Sequence, residues 1–135
     1  MITNARIAAI VPVSDLDAAI SFYEQSLGLT LAERREELAE NPEAYFTVGE
    51  ADLVLYVSVG AGQSRHTLVG FQVDDIERTV KSLRDNGVTF EEYDLPGLKT
   101  EDGIAAMGDS KAAWFKDPDG NILAIESRAP AAQSS

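Results

Sequence analysis

Apolar positions along the chain change period several times, and each change predicts a boundary between elements. The run over residues 6–13, ending Ile10-Val11-Pro12-Val13, reads as a first strand, with the N–H-less Pro12 suited to an edge or a bulge. Ser14 or Asp15 then caps a helix whose apolar positions Leu16, Ala19, Ile20, Tyr23 and Leu27 recur at helical spacing. Gly28 ends it. A strand over residues 29–35 is followed by an acidic loop, Glu36-Glu37-Leu38-Ala39-Glu40-Asn41-Pro42-Glu43, and by a hairpin over residues 44–59. Gly60-Ala61-Gly62-Gln63-Ser64 reads as a flexible linker. The same order then returns: a strand over 66–73, a helix over 75–86 with Ile76, Val80 and Leu83 inward, and a strand over 87–93. A loop over 94–103 is long enough to be functional, and a short strand over 104–107 and a final hairpin complete the pattern. The small, polar residues 129–135 read as a disordered tail.

The final hairpin carries its turn in Asp117-Pro118-Asp119-Gly120-Asn121. Proline presets φ, aspartate caps the turn through its side chain, and glycine takes a positive φ. Shifted back 69 residues without a gap, Phe115 falls on Phe46, Ile122 on Leu53 and Ile125 on Tyr56. Val13-Ser14-Asp15-Leu16-Asp17 returns 60 residues later as Val73-Asp74-Asp75-Ile76-Glu77. Two copies of about sixty residues are too few and too long for a solenoid. The expectation is an α+β fold of two tandem β-α-β-β-β modules, residues 6–59 and 66–127, their sheet curved around a cleft with the helices outside.

Length points to one domain able to bury a core unaided. The chain has no cysteine, which excludes disulfides and thiolate chemistry. A net charge of −12, with eleven lysines and arginines scattered among 23 acids, excludes a phosphate-binding patch, so neither nucleic acid nor an anionic membrane is expected as partner. No apolar run is long enough to span a bilayer, and no basic segment precedes an apolar one at the N-terminus; a cytoplasmic location is expected. Asp15, Asp74 and Asp75 stand at helix starts, which accounts for them better than acid–base work. Glu33, Glu36, Glu37 and Glu40 read as a solvated acidic run, and Arg6, Arg65 and Lys116 as surface cations at strand ends.

Two stretches carry a resemblance. Val13-Ser14-Asp15-Leu16-Asp17-Ala18-Ala19-Ile20-Ser21-Phe22-Tyr23 with Leu27-Gly28-Leu29 is similar to the opening motif of the vicinal oxygen chelate superfamily, which includes glyoxalase I, extradiol dioxygenases and bleomycin-resistance proteins. Asp117-Pro118-Asp119-Gly120-Asn121 is similar to its closing turn. Such proteins place a metal ligand seven residues before the opening aspartate and another three residues after the closing asparagine. Carried onto this chain, these positions are Ala8, Leu68 and Ala124, with Leu55 as the internal partner of Ala124. All four are apolar, and methyl groups donate nothing to a divalent ion. The resemblance therefore implies a metal-free small-molecule binder of the bleomycin-resistance type, without a cofactor and usually a homodimer, holding an aromatic or hydrophobic drug or metabolite.

The alternative is a glyoxalase-like lyase or dioxygenase-type metalloenzyme with a displaced divalent metal. It would use His66, two residues before Leu68, and Glu126, two after Ala124; a cofactor-free enzyme would instead use Glu126 or His66 as a base. Of Trp114 and Phe115, alternation sends one to the cleft and one to the helix layer, and leaves open which. Phe46 and Tyr56 complete the expected cleft lining, with Tyr45, Phe71 and Tyr93 as further strand aromatics.

Overall fold

The structure, a computed structural model, describes residues 2–36 and 42–128. Expectations about Glu37, Glu40 and the tail lie outside the described residues. By packing, the chain divides into two compact units, residues up to 68 together with 117–121, and residues 69–116 together with 122 onward.

The first unit opens with β1 (Ala8–Val13), continues through α1 (Leu16–Ser21) and adds β2 (Thr30–Arg35), β3 (Glu43–Val48) and β4 (Ala51–Val57). Its sheet has the order β1-β4-β3-β2, with β1 and β4 parallel and the other pairs antiparallel. Asp15 is the N-cap of α1, its Oδ1 accepting from the Ala18 N–H at 3.1 Å. The helix widens into a π-helical turn over Phe22–Ser26, and Gly28 at φ 76° lets the chain leave, as the sequence requires. A helix this short is marginal alone. It is held by Leu16, Ala19, Ile20 and Tyr23, which pack with Val11, Val13, Phe46, Leu53 and Leu55 into a buried core. Each such side chain contributes about 1.5–3 kcal/mol on burial.

The second unit repeats this order. It contains the bulk of β5 (Thr67–Gln72), α2 (Ile76–Asp85) capped by Asp75, and then β6 (Asp94–Leu95), β7 (Leu98–Glu101), β8 (Ile104–Met107), β9 (Ser110–Lys116) and β10 (Ile122–Arg128). The sheet order β5-β10-β9-β8 matches β1-β4-β3-β2, and β7 and β6 extend it at the β8 edge.

Two expectations change here. The strand expected over 87–93 is reduced to a single bridge, Phe90 to Phe115, and the expected loop over 94–103 is the β6–β7 hairpin. The pairings show why. In the first unit β2 runs unbroken past β3, Leu31 opposite Phe46 and Arg35 opposite Glu43, with a bulge after Leu31. In the second, Phe90 takes the place opposite Phe115, the chain leaves at the equivalent point, and Ala105 on β8 returns opposite Ala112. One strand is split by an inserted hairpin.

The turn Asp117–Asn121 packs with the first unit. Asp117 Oδ1 accepts from the N–H groups of Asp119 and Asn121 at 3.0 and 2.9 Å, which is the side-chain capping the turn residues imply. Asp117 Oδ2 accepts from Tyr23 Oη at 2.8 Å and from Asn121 Nδ2 at 2.9 Å. Asn121, fully buried, also donates to the Pro12 carbonyl at 2.8 Å, and its Oδ1 accepts from the Gly62 N–H at 3.2 Å. Asp119 accepts from the Ser14 N–H through both carboxylate oxygens at 3.1 Å. The linker expected at Gly60–Ser64 is thus pinned: a Cβ on Gly62 would lie 2.1 Å from the Asp119 carbonyl oxygen.

Candidate functional site

Each sheet has one face packed on its helix and one turned away. In the second unit Lys111 on β9 pairs with Glu77 of α2 at 2.6 Å, so Lys111, Ala113 and Phe115 face the helix. Register places Leu123 opposite Phe115 and Ile125 opposite Ala113, which completes the core face. The other face carries Trp114 opposite Ala124 and Ala112 opposite Glu126. This settles the Trp114–Phe115 alternative. Phe115 is fully buried and meets Phe90 edge-on at 5.5 Å, so it does not line the outward face as expected; Trp114 does, half-buried.

The inserted hairpin braces Trp114. Thr100 Oγ1 accepts from the Tyr93 N–H at 2.8 Å and donates to Glu92 Oε1 at 2.5 Å, while the Thr100 N–H donates to the Tyr93 carbonyl at 2.9 Å. These bonds set the Tyr93 ring edge-on to Trp114, centroids 5.6 Å apart at 78°. The result is an aromatic corner beside the methyl of Ala124. On the other flank Gly70 of β5 leaves room for Glu126, whose Oε1 lies 2.6 Å from where a Cβ would stand. Leu68, two residues earlier and 36% exposed, shares that face of β5 by alternation.

The equivalent face of the first unit holds different residues. Ala8 pairs with Asp52, Ile10 with Val54 and Pro12 with Tyr56. Tyr45, opposite Val54, donates to Glu43 at 2.9 Å, and that bond raises its phenol pKa. Asp52 is held below the usual carboxylate range by its hydrogen bonds with Arg6 at 2.8 and 2.9 Å.

Leu55 and Phe46 are the further corrections. Leu55 pairs with Val11, is 0% exposed, and faces α1, opposite to Ala8. Phe46 is equally buried, its ring 6.1 Å from that of Tyr23. The ungapped 69-residue shift misplaces Leu55. Phe46 pairs with Leu53, seven residues on, but Phe115 pairs with Leu123, eight residues on. The chain between these equivalent pairs is one residue longer in the second hairpin, so the partner of Ala124 is Val54 and the partner of Glu126 is Tyr56. The signal was in the sequence: Asp-Pro-Asp-Gly-Asn needs more chain to turn than Gly49-Glu50 does.

His66 precedes β5, exposed, its N–H donating to Ser64 Oγ at 3.1 Å. Among the described residues no three His, Cys, Asp or Glu side chains converge as metal ligands. Ala8 and Leu68, Ala124 and its register partner Val54, at the positions that the resemblance assigns to metal ligands, carry no side-chain donor for a divalent ion. A separate concavity of about 550 Å³ lies beside α2, lined by Glu77, Lys81, Arg84, Asp102, Ile104 and Lys111 among others. Its cations are engaged: Lys111 with Glu77, Lys81 with Asp85, and Arg84 with the Asp102 carbonyl. No helix among the described residues is long and apolar enough to cross a membrane.

Comparison with known proteins bears on this arrangement. A lactoylglutathione lyase of Haemophilus influenzae is 30% identical over 121 residues, covering 80% of this chain and 81% of that protein. A chloroplast protein of Arabidopsis thaliana named probable lactoylglutathione lyase is 26% identical over 127 residues, 87% of this chain, which spans only 34% of that protein's length. Among solved structures TnmS3, an antibiotic binding protein from Streptomyces sp. CB03234, aligns with a TM-score of 0.67 at 21% identity, covering 96% of this chain and 99% of that one, and so shares the fold. The family profile matches residues 5–125, and the chain belongs to the Glyoxalase/Bleomycin resistance protein/Dioxygenase superfamily.

Proposed function

We propose that the protein is a metal-free small-molecule binder of the bleomycin-resistance type, which takes up an aromatic or hydrophobic molecule on the face bearing Trp114. The observation that carries this reading is the pairing of Ala124 with Trp114. Where metal-dependent relatives hold a carboxylate, this chain has a methyl group beside a half-buried indole braced by Tyr93. That surface gains by excluding water from a flat apolar ligand and supplies no acid, base or Lewis acid at Ala124. The fold shared with an antibiotic binding protein supports the same direction. The reading includes a homodimer, to be checked by sedimentation equilibrium.

Trp114 is the only tryptophan, so its fluorescence reports on the face directly. A panel of planar aromatic compounds, screened by thermal shift and then by quenching, is expected to yield saturable binders that also raise the unfolding temperature. Absence of both effects across the panel would remove the reading.

The 30% identity to the Haemophilus influenzae lactoylglutathione lyase favours a second reading, a lyase with a displaced metal site using His66 and Glu126. Metal-dependent formation of lactoylglutathione, abolished in both His66→Ala and Glu126→Gln, would establish it in place of the first.

A further inference from the structure

The face around Trp114 holds a carboxylate that the packing does not use. The neighbouring acids are engaged: Glu91 with Lys116 at 3.5 Å, and Glu92 with Thr100 Oγ1 and the Gly103 N–H. Glu126 has no hydrogen-bond or ion-pair partner for its carboxylate among the described residues. Its cross-strand partner is the buried methyl of Ala112, and on the other flank it lies over Gly70, which has no side chain to offer. Trp114 stands diagonally across the β9–β10 pair from it on the same face. Diagonal neighbours lie roughly 7–8 Å apart between Cα atoms, close enough for one tricyclic molecule to touch both side chains. The equivalent position in the first unit is Tyr56, so the carboxylate belongs to this face and not to the repeated module.

A half-buried carboxylate among methyls and an indole is complementary to a cation. A charge-assisted hydrogen bond to Glu126 and stacking or cation–π contact with Trp114 favour the same molecule, and the net charge of −12 adds a long-range attraction. We infer that the ligand of this face is a flat aromatic molecule bearing a cationic nitrogen, the nitrogen donating to Glu126 and the ring lying on Trp114. This rests on the binding reading above and names the charge of its ligand.

Three probes of one shape test it: 9-aminoacridine, acridine and acridine-9-carboxylate, titrated by calorimetry at mildly alkaline pH, where they are cationic, neutral and anionic. The cation is expected to bind at least about tenfold more tightly than neutral acridine, and the anion most weakly. In Glu126→Gln the ratio of cation to neutral affinity is expected to fall to within about twofold. Gly70→Ala would displace only the flexible end of Glu126, so the deciding variant is Glu126→Gln, whose fold thermal unfolding checks. Equal binding of cation and neutral probe, or a preference that survives in a folded variant, overturns the inference and leaves the binding reading intact. Failure of all three probes to bind overturns the inference, while the wider panel of planar aromatic compounds decides separately on the binding reading.

Discussion

Asp117 gathers four hydrogen bonds within the first unit, and the one from Tyr23 comes from a side chain 94 residues earlier in sequence. Removing that donor leaves a buried carboxylate short of a partner, which costs more than the bond itself is worth. Tyr23→Phe is expected to lose about 1.5–3 kcal/mol in urea unfolding, without a change in slope. The phenol also has a signature in pH. Burial first, then the charge of Asp117 and the hydrogen bond to it, push the Tyr23 pKa far above its ordinary value. A folded pKa above the unfolded one gives a contribution present in full below the unfolded value of about 10 and lost as pH rises beyond it. Stability is therefore expected to fall by about 1.4 kcal/mol per pH unit above that point from this group, and Tyr23→Phe to remove that part of the slope. That Tyr23 is apolar-facing was legible from helical spacing. That its hydroxyl meets Asp117 was not, because nothing local in either segment encodes a contact across such a distance in the chain.

At the level of elements, the turn Asp117–Asn121 and the segment Gly60–Ser64 behave as one piece, which explains why a glycine is needed at 62. Gly62 and Gly49 both have positive φ, 73° and 58°, but only Gly62 abuts another backbone. Gly49→Ala is expected to cost about 1–2 kcal/mol for the left-handed conformation alone, and Gly62→Ala clearly more, because the Asp119 carbonyl must also move. Equal unfolding midpoints for the two would contradict the close packing of this turn. The helix caps were readable from sequence, since Asp15 and Asp75 act on N–H groups three residues away. The split of one strand into Phe90 and β8 was not. Short apolar runs look alike whether they pair along their length or at one residue, and the pairing partner decides.

For the whole molecule, duplication has kept the plan and changed the contents. The face that holds Ile10, Val54 and Tyr56 in one unit holds Gly70, Ala124 and Glu126 in the other. Restoring the family carboxylate tests what Ala124 is for. Ala124→Glu places a charge with no cation in a buried position, so its pKa should rise, and a bound apolar ligand would remove its remaining water. Affinity for any ligand found by thermal shift is expected to fall by about tenfold or more, about 1.4 kcal/mol, with a smaller loss of stability in the free protein. Unchanged affinity in a folded variant would place the ligand elsewhere. The apolar residues at the family's ligand positions also predict that zinc, nickel, iron or manganese is lost on dialysis. Stoichiometric metal by mass spectrometry after dialysis would contradict this.

The sequence by itself determined the duplicated plan of the two units apart from the split strand of the second, the caps, the closing turn and the family, because each rests on residues close together in the chain or on motifs at fixed spacing. It also shows apolar residues at Ala8, Leu68 and Ala124, the positions that the resemblance assigns to metal ligands. Only the tertiary structure decided which face each strand residue takes. Side chains alternate with a period of two, so the one extra residue between equivalent pairs of the second hairpin moved the partner of Ala124 from Leu55 to Val54, the opposite face of β4. Pairing likewise chose Trp114 over Phe115 for the outward face and brought Tyr93, Gly70 and Glu126 around it from strands and segments that no local pattern connects.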